Sequence, residues 1–265
     1  MYNPKLIPSV SVIIPALNEE KNIREAIESV LRSFEKLNID GEVIAVDDGS
    51  SDNTGKIMNE MVAIYANVKK IAHRTPHGIG GAFWSGVTLA SKEIVTVSPG
   101  DNENDPEQIL SYLGLTSEVD IIVPFVYNVD IRAKGRRLIS SLYRLIINMS
   151  FGTNLNYTNG TVLYRRAILK DVALRSRGFF YQAELLIKLI RLGYLFAEVP
   201  CFLSKRTSGK SKATTIRSFI RIIQSYCKLV LEIHVLRMSA GTQAILNTGT
   251  QTHKKMMIQK ELVVQ

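Results

Sequence analysis

Cysteine is scarce in this sequence: Cys201 and Cys227 are the only two among 265 residues. They stand in no metal-ligand spacing, which excludes a cysteine-based metal site. One disulfide between them stays open, and a reduced, cytosolic setting is the simpler reading. Long apolar runs are missing too. No stretch reaches about 18 uninterrupted apolar residues, so no membrane-spanning helix is expected. The opening "MYNPKLIPSVSVIIPALNEE" has no extended apolar region followed by a small-residue cleavage site, so no signal peptide is expected either. Internal repeats and low-complexity tracts are absent. What remains is an ordinary globular composition, 46% hydrophobic and 22% charged, long enough for one large core or two small ones.

Acidic residues are scarce in one half only. Residues 130–240 hold 5 Asp/Glu against 20 Lys/Arg, whereas residues 1–129 hold 18 against 10. A basic half on a chain of net charge +9 suits an anionic partner: nucleic acid, membrane phospholipid or a phosphorylated substrate. A solvated basic face is the plainer alternative. No helix-turn-helix, RRM or zinc pattern is present, so nucleic acid is not expected.

The first 125 residues alternate short apolar runs with helical periodicities. "VSVIIPA", "EVIAV", "VKKIAH", "EIVTVS" and "VDIIVPF" read as strands, with helices between them. Apolar strands separated by helices predict a mostly parallel α/β sheet covered on both faces, with ligands at the carboxyl ends of the strands. The loops to watch are "PALNEE", "DDGSSDNT", "HRTPHGIGG" and "SPGDNEND". Glycine is missing from the first of these, which excludes a dinucleotide-binding turn. The cluster Gly78, Gly80, Gly81 lacks the Lys-Ser/Thr of a phosphate-binding loop, and tight helix packing explains it as well. "VDDGSSDNT" fails the EF-hand spacing. One of Asp47 and Asp48 could accept hydrogen bonds from a base or ribose. Turn formation by side-chain bonding fits Asp52 and Asn53 better than that pair.

"SPGDNENDPE" places four carboxylates at alternate positions. Asp105-Pro106-Glu107 reads as a helix start: a capping Asp, Pro in the first helical position and Glu in the first turn. Asp101 and Glu103 remain. On extended backbone they point to the same side, and their hard oxygens suit Mg²⁺ or Mn²⁺.

After residue 125 the chain becomes basic and largely helical. Ile216, Phe219, Ile220, Ile223, Tyr226, Cys227, Val230 and Ile233 are expected on one face of a final helix. Arg217, Arg221, Gln224, Lys228 and Glu232 are expected opposite. Such a helix suits a membrane interface, or packing on the domain or a sister chain. Residues 238–265 read as a polar tail.

Taken together, "SVIIPALNEEKNI", "VIAVDDGSSDNT", "GIGGAFWSG", "SPGDNENDPE", "GFFYQAELLIKLIRLGYLFAEVP" and the string Arg206-Thr207-Ser208-Gly209-Lys210-Ser211-Lys212 resemble, in order and spacing, the family 2 glycosyltransferases of GT-A fold. The polyprenyl-phosphate type is the most similar, and the resemblance spans roughly residues 9–215. It implies a GT-A domain over 1–213, with a nucleotide-binding half 1–125 and an acceptor half 126–213. An amphipathic helix over 214–237 and the tail 238–265 would follow.

The resemblance implies an inverting enzyme using a UDP- or GDP-linked sugar. It implies nucleotide contacts from Pro15, Leu17, Glu19, Val46, Asp48, Gly78, Gly100 and Asp101. A divalent Mg²⁺ or Mn²⁺ would sit on Asp101 and Glu103, because Pro99 occupies the family's first ligand position. Arg206 and Lys212 would contact phosphates. Glu184 is the candidate base should the acceptor be a hydroxyl. The family's acceptor Arg is missing after the fifth strand, and Arg132, Arg136 or Arg137 would substitute. The acceptor would be a polyprenyl phosphate on the cytoplasmic membrane face, with a glycan hydroxyl as alternative. A non-catalytic sugar-nucleotide-binding subunit and a homo-oligomer both remain compatible with the sequence.

Overall fold

The structure is a computed structural model that describes residues 7–102, 105–128, 134–173, 176–202, 216–235 and 247–264. It divides the chain into two compact units. One comprises Met1–Ser117 with Thr161–Arg166, the other Glu118–Gly160 with Ala167–Gln265. A short later segment, Thr161–Arg166, thus belongs with the first unit.

The first unit is built from β1 (Val10–Ala16), α1 (Ile23–Leu37), β2 (Gly41–Asp47), α2 (Thr54–Ile64), β3 (Val68–Ala72), α3 (Ile79–Leu89), β4 (Ile94–Val97) and α4 (Pro106–Leu110). Every residue of β1, β2 and β4 is buried, the polar Ser11, Glu42, Asp47 and Thr96 included, so these mostly apolar strands show no apolar–polar alternation. The α1 helix covers the sheet with Ile23, Ala26, Ile27, Val30, Leu31 and Phe34, the stripe its period demanded. Strand β1 pairs in parallel with β2, from Val10 opposite Gly41 to Ala16 opposite Asp47. On its other side it pairs in parallel with β4, and β2 pairs in parallel with β3. The chain therefore runs outward from β1 to β3 and then places β4 on the opposite flank of β1. Such a reversal opens a crevice at the carboxyl ends of the strands. The later strand, at Leu163–Arg165, is antiparallel to β4.

In the second unit β5 (Ile121–Val126) and β7 (Phe196–Cys201) pair in parallel; β6 is the Leu163–Arg165 strand just described. The helices are α5 (Lys134–Phe151), the one-turn α6 (Arg166–Leu169), α7 (Tyr181–Arg191), α8 (Ile216–Val230) and α9 (Gln251–Val264). Ile147, Phe151, Phe180, Ala183, Ile187, Leu229 and Ile233 form a buried cluster, with Tyr143, Ile222, Tyr226 and Val230 packed against it. Cys201 and Cys227 are not joined in a disulfide. Among the described residues no helix is long and apolar enough to cross a membrane.

Two expectations change here. The inward face of α8 is Ile222, Tyr226, Leu229 and Val230, continued by Ile233. Phe219, Ile220 and Ile223 are instead exposed, and Glu232, expected on the polar face, is buried. The helix carries apolar residues on two sides, and helical period alone does not tell which side meets the core. Second, the expected polar tail forms α9 over 251–264. Its start is held by Asp120, whose carboxylate accepts bonds from Gln251 N at 2.8 Å and from Thr252 N at 2.9 Å. A fully buried carboxylate thus satisfies amides that a helix start leaves unpaired.

Candidate active site

Four loops follow the carboxyl ends of β1 to β4, and hydrogen bonds stitch them together. Asn18, after β1, adopts φ 54°, the left-handed region that Asn tolerates better than most residues. Its amide donates to Ser50 Oγ at 3.0 Å, and its side-chain oxygen accepts from Ser51 N at 2.8 Å. Glu19 N donates to Thr54 Oγ1 at 2.8 Å, and Asn53 N donates to Glu20 Oε2 at 3.1 Å. The β1 and β2 loops therefore form one rigid rim. Asp52 closes the start of α2 by accepting from Thr54 N at 3.0 Å. Burial pushes its carboxyl pKa up, but the Thr54 hydroxyl and amide outweigh this and hold it below the ordinary value. Asp47 closes a turn as well, accepting from Ser50 N at 3.0 Å, so turn formation is not confined to Asp52 and Asn53.

Asp48 is buried and collects three donors. Its Oδ1 accepts from His73 Nδ1 and from His77 N, both at 2.7 Å, and Oδ2 accepts from Gly78 N at 2.8 Å. A carboxylate only accepts, so Nδ1 of His73 carries the proton. The other ring nitrogen, Nε2, lies 3.0 Å from Ser85 Oγ. Asp48 thus ties the end of β2 to the loop and first turn of α3.

The loop after β4 continues alongside β1. Ser98 N donates to Ile13 O at 2.9 Å and Gly100 N to Pro15 O at 3.2 Å. A Cβ on Gly100 would come within 2.9 Å of the Ala16 Cβ, so only glycine lets this loop lie so close. Asp101 follows directly and is half-buried. Asp105 Oδ1 accepts from Glu107 N at 3.0 Å with Pro106 next to it, the helix start expected from sequence. Glu107 further pairs with Lys36 at 2.7 Å.

Leu17, Glu19, Asp48, Gly78, Gly100 and Asp101 accordingly share one end of the first unit. Pro15 and Val46 lie within β1 and β2, near their carboxyl ends, and are buried. Arg137 is exposed on α5 in the second unit. Glu103, Arg132, Arg206 and Lys212, and the side chain of Arg136, lie outside the described residues. The second unit commits Glu184 to an ion pair. It is buried, its Oε1 accepts from Lys188 Nζ at 2.7 Å, and its Oε2 accepts from Ser176 N at 2.9 Å. Lys188 also meets Glu232 at 3.0 Å. A general base must face its substrate, so Glu184 is not carried into the mechanism. Sequence reasoning missed His73, His77, Ser50 and Ser51. Their only signal was their position in loops at strand ends.

A divalent cation fits this loop in one respect. Asp101 offers a hard carboxylate at a strand end, and Mg²⁺ is commonly held by one or two carboxylates together with substrate phosphates. Among the described residues no three His, Cys, Asp or Glu side chains form a complete cage. The protein side of the site would then be Asp101 with Glu103.

The profile of glycosyl transferase family 2 matches residues 11–173, which takes in all four loops. The chain belongs to that family. As a family 2 glycosyltransferase it is similar to an undecaprenyl-phosphate mannosyltransferase of Micrococcus luteus, with 27% identity over 77% of this chain and 86% of that protein. It is also similar to the undecaprenyl-phosphate 4-deoxy-4-formamido-L-arabinose transferase of Proteus mirabilis, with 36% identity over 104 residues. That match covers 39% of this chain and about a third, 32%, of the relative. Among solved structures, glucosyl-3-phosphoglycerate synthase of Mycobacterium tuberculosis, crystallised with Mg²⁺ and UDP, superposes with a TM-score of 0.62 at 21% identity. The superposition covers 84% of this chain and 79% of that one. This glycosyltransferase therefore has the GT-A type of α/β fold.

Proposed function

We propose that this glycosyltransferase moves a sugar, with inversion, from a nucleotide-diphosphate sugar to a polyprenyl phosphate at the cytoplasmic face of a membrane. The observation that carries the lipid acceptor lies on α5 and α8. Leu138, Ile139, Leu142, Leu145, Ile146 and Met149 of α5 are exposed, Leu138 by 72% and Met149 by 76%, as are Phe219, Ile220 and Ile223 of α8. The charged residues of α5 are Lys134, Arg136, Arg137 and Arg144; those of α8 are Arg217, Arg221 and Lys228. Neither helix carries an acid. Exposed apolar stripes among basic residues suit an anionic lipid surface, where apolar insertion and headgroup attraction add. They suit a second copy of the same basic helices less, since like charges would face each other. The undecaprenyl-phosphate relatives support the same acceptor class.

The chemistry is one displacement. An ionised phosphate oxygen of the acceptor attacks the anomeric carbon, and the bond from that carbon to the leaving diphosphate oxygen breaks. The nucleoside diphosphate departs with the electron pair. An ionised phosphate needs no general base, in keeping with a Glu184 committed to Lys188. Charge grows on the diphosphate, and stabilising it is the main task of the protein. Arg206 and Lys212 would contact that diphosphate, and Arg132, Arg136 and Arg137 the acceptor phosphate. Asp101 and Glu103 would hold the divalent cation, Mg²⁺ or Mn²⁺, which neutralises diphosphate charge when bound.

The test is transfer from a panel of UDP- and GDP-sugars to undecaprenyl phosphate in anionic vesicles, with the anomeric configuration of the product read by NMR. Inverted glycosyl phospholipid is the expected product. Transfer to a glycan hydroxyl with none to lipid phosphate would replace the acceptor reading.

A further inference from the structure

Tyr127 and Phe202 come directly after β5 and β7, the parallel pair of the second unit. The register ends with Val126 opposite Cys201, and Tyr127 N then donates to Cys201 O at 2.9 Å. That bond sets the two strand ends side by side. The rings of Tyr127 and Phe202 meet edge to face, with centroids 5.5 Å apart and planes inclined by 69°. Aromatic pairs favour this arrangement, so each ring helps to fix the other. Both nevertheless face solvent: Tyr127 is 66% exposed and Phe202 59%. Two large rings held in place and left open form a surface for a ligand rather than part of the core. They stand at the carboxyl ends of parallel strands, where α/β sheets take their ligands.

The chemistry of the same unit selects the ligand. The chain runs from Tyr127 to α5, which exposes Leu138, Ile139 and Leu142. From Phe202 it runs to α8, which exposes Phe219, Ile220 and Ile223. Every charged residue of these two helices is basic. A sugar ring also stacks on aromatic faces, but carboxylates commonly hold its hydroxyls, and neither helix supplies one. A polyprenyl phosphate matches both features, with an apolar chain for the rings and an anionic head for the cations. Arg132, Arg136 and Arg137, proposed above for the acceptor phosphate, follow Tyr127 in the chain. The part of the lipid suited to the rings is therefore the part next to the phosphate. Isoprene units bring methyl groups and double bonds that pack on an aromatic face, and rings already paired lose little further freedom when they do.

We propose that the Tyr127–Phe202 pair is a specificity-determining contact for the first isoprene units of the lipid acceptor. This rests on the lipid-acceptor reading above, and the two can fail separately. Calorimetry of the full chain, with UDP and Mn²⁺ present and no vesicles, would compare geranyl phosphate with methyl phosphate. The proteins are the wild type, Tyr127→Ala, Phe202→Ala and Tyr127→Phe. The wild type should bind geranyl phosphate more tightly than methyl phosphate. Each alanine variant should weaken geranyl phosphate by about tenfold, the scale of one aromatic side chain losing its apolar contact. Methyl phosphate affinity should stay unchanged, and Tyr127→Phe should bind geranyl phosphate like the wild type. Unchanged geranyl phosphate affinity in either alanine variant would overturn the pair, and so would equal losses for both phosphates. Cosedimentation of the same proteins with anionic vesicles that hold no acceptor separates chain recognition from a membrane anchor. The alanine variants should cosediment like the wild type; a loss confined to vesicle binding would make the rings an anchor and overturn the proposal. A wild type that glycosylates undecaprenyl phosphate yet binds geranyl phosphate no better than methyl phosphate would overturn the pair alone. No transfer to undecaprenyl phosphate would overturn the acceptor reading and the pair together.

Discussion

Glu42 stands at the start of β2, where burial and hydrogen bonding pull its proton in opposite directions. It is 3% exposed. Its Oε1 accepts from Ser11 Oγ at 2.6 Å, Ser91 N at 2.7 Å and Ser91 Oγ at 2.9 Å, and its Oε2 meets Lys69 Nζ at 2.7 Å. Burial raises the carboxyl pKa. The Lys69, Ser11 and Ser91 bonds more than offset this and bring it from 4.5 to about 2. A depressed pKa means that the folded chain favours the carboxylate, so the unfolded chain takes up the proton first as pH falls. The stabilisation is fully present above the unfolded value near 4.5 and is lost as pH falls toward about 2. A gap of that size is worth about 3 kcal/mol. Glu42→Gln keeps an acceptor for Ser11 and Ser91 but turns an amide donor toward Lys69. It should therefore cost about 2–3 kcal/mol at pH 7. Urea denaturation of both proteins from pH 7 to pH 3 tests this. The wild type should lose stability steeply below pH 5, and the gap between the two should narrow with acid. Parallel stability curves for the two proteins would refute the reasoning.

Asp101→Ala should abolish Mn²⁺-dependent UDP binding and Glu103→Gln should weaken it; full binding by Asp101→Ala in calorimetry would remove the metal assignment. Lys212→Ala should lower kcat by about 100-fold or more with a smaller change in donor Kd, because the charge it meets grows at the transition state. Lys212→Arg should restore it only in part, and a wild-type single-turnover rate in Lys212→Ala would contradict the clamp. The pair Leu142→Ser and Met149→Ser should reduce cosedimentation with anionic vesicles by about tenfold or more. Wild-type cosedimentation should itself fall at 1 M salt, where the screening length is about 3 Å, and equal partitioning to neutral and anionic vesicles would argue against the surface. Lys188→Met removes the buried cation that Glu184 and Glu232 share and should cost about 3–5 kcal/mol in urea denaturation; a loss below 1 kcal/mol would mean the cluster is wetter than its burial implies.

The sequence by itself determined whatever depends on neighbours along the chain. Mostly apolar runs separated by helical periods specified a parallel sheet, because a strand covered on both faces has no solvent side to alternate with. Asp105-Pro106-Glu107 specified its own helix start through bonds reaching only two residues. Loops at strand ends located Asp48, Gly100 and Asp101. Only the tertiary structure decided what depends on distant partners. Asp48 is occupied by His73, His77 and Gly78, which lie 25 to 30 residues away. Asp120 holds the start of α9 across 132 residues, which makes a helix of what reads locally as a polar tail. Glu184 looks like an accessible carboxylate on a helix until Lys188 and Glu232 close over it. The α8 helix has two apolar sides, and its period is the same whichever of them is buried. Periodicity records that a face exists; the contact that covers it is set by chain segments far away in sequence, and no local pattern carries that information.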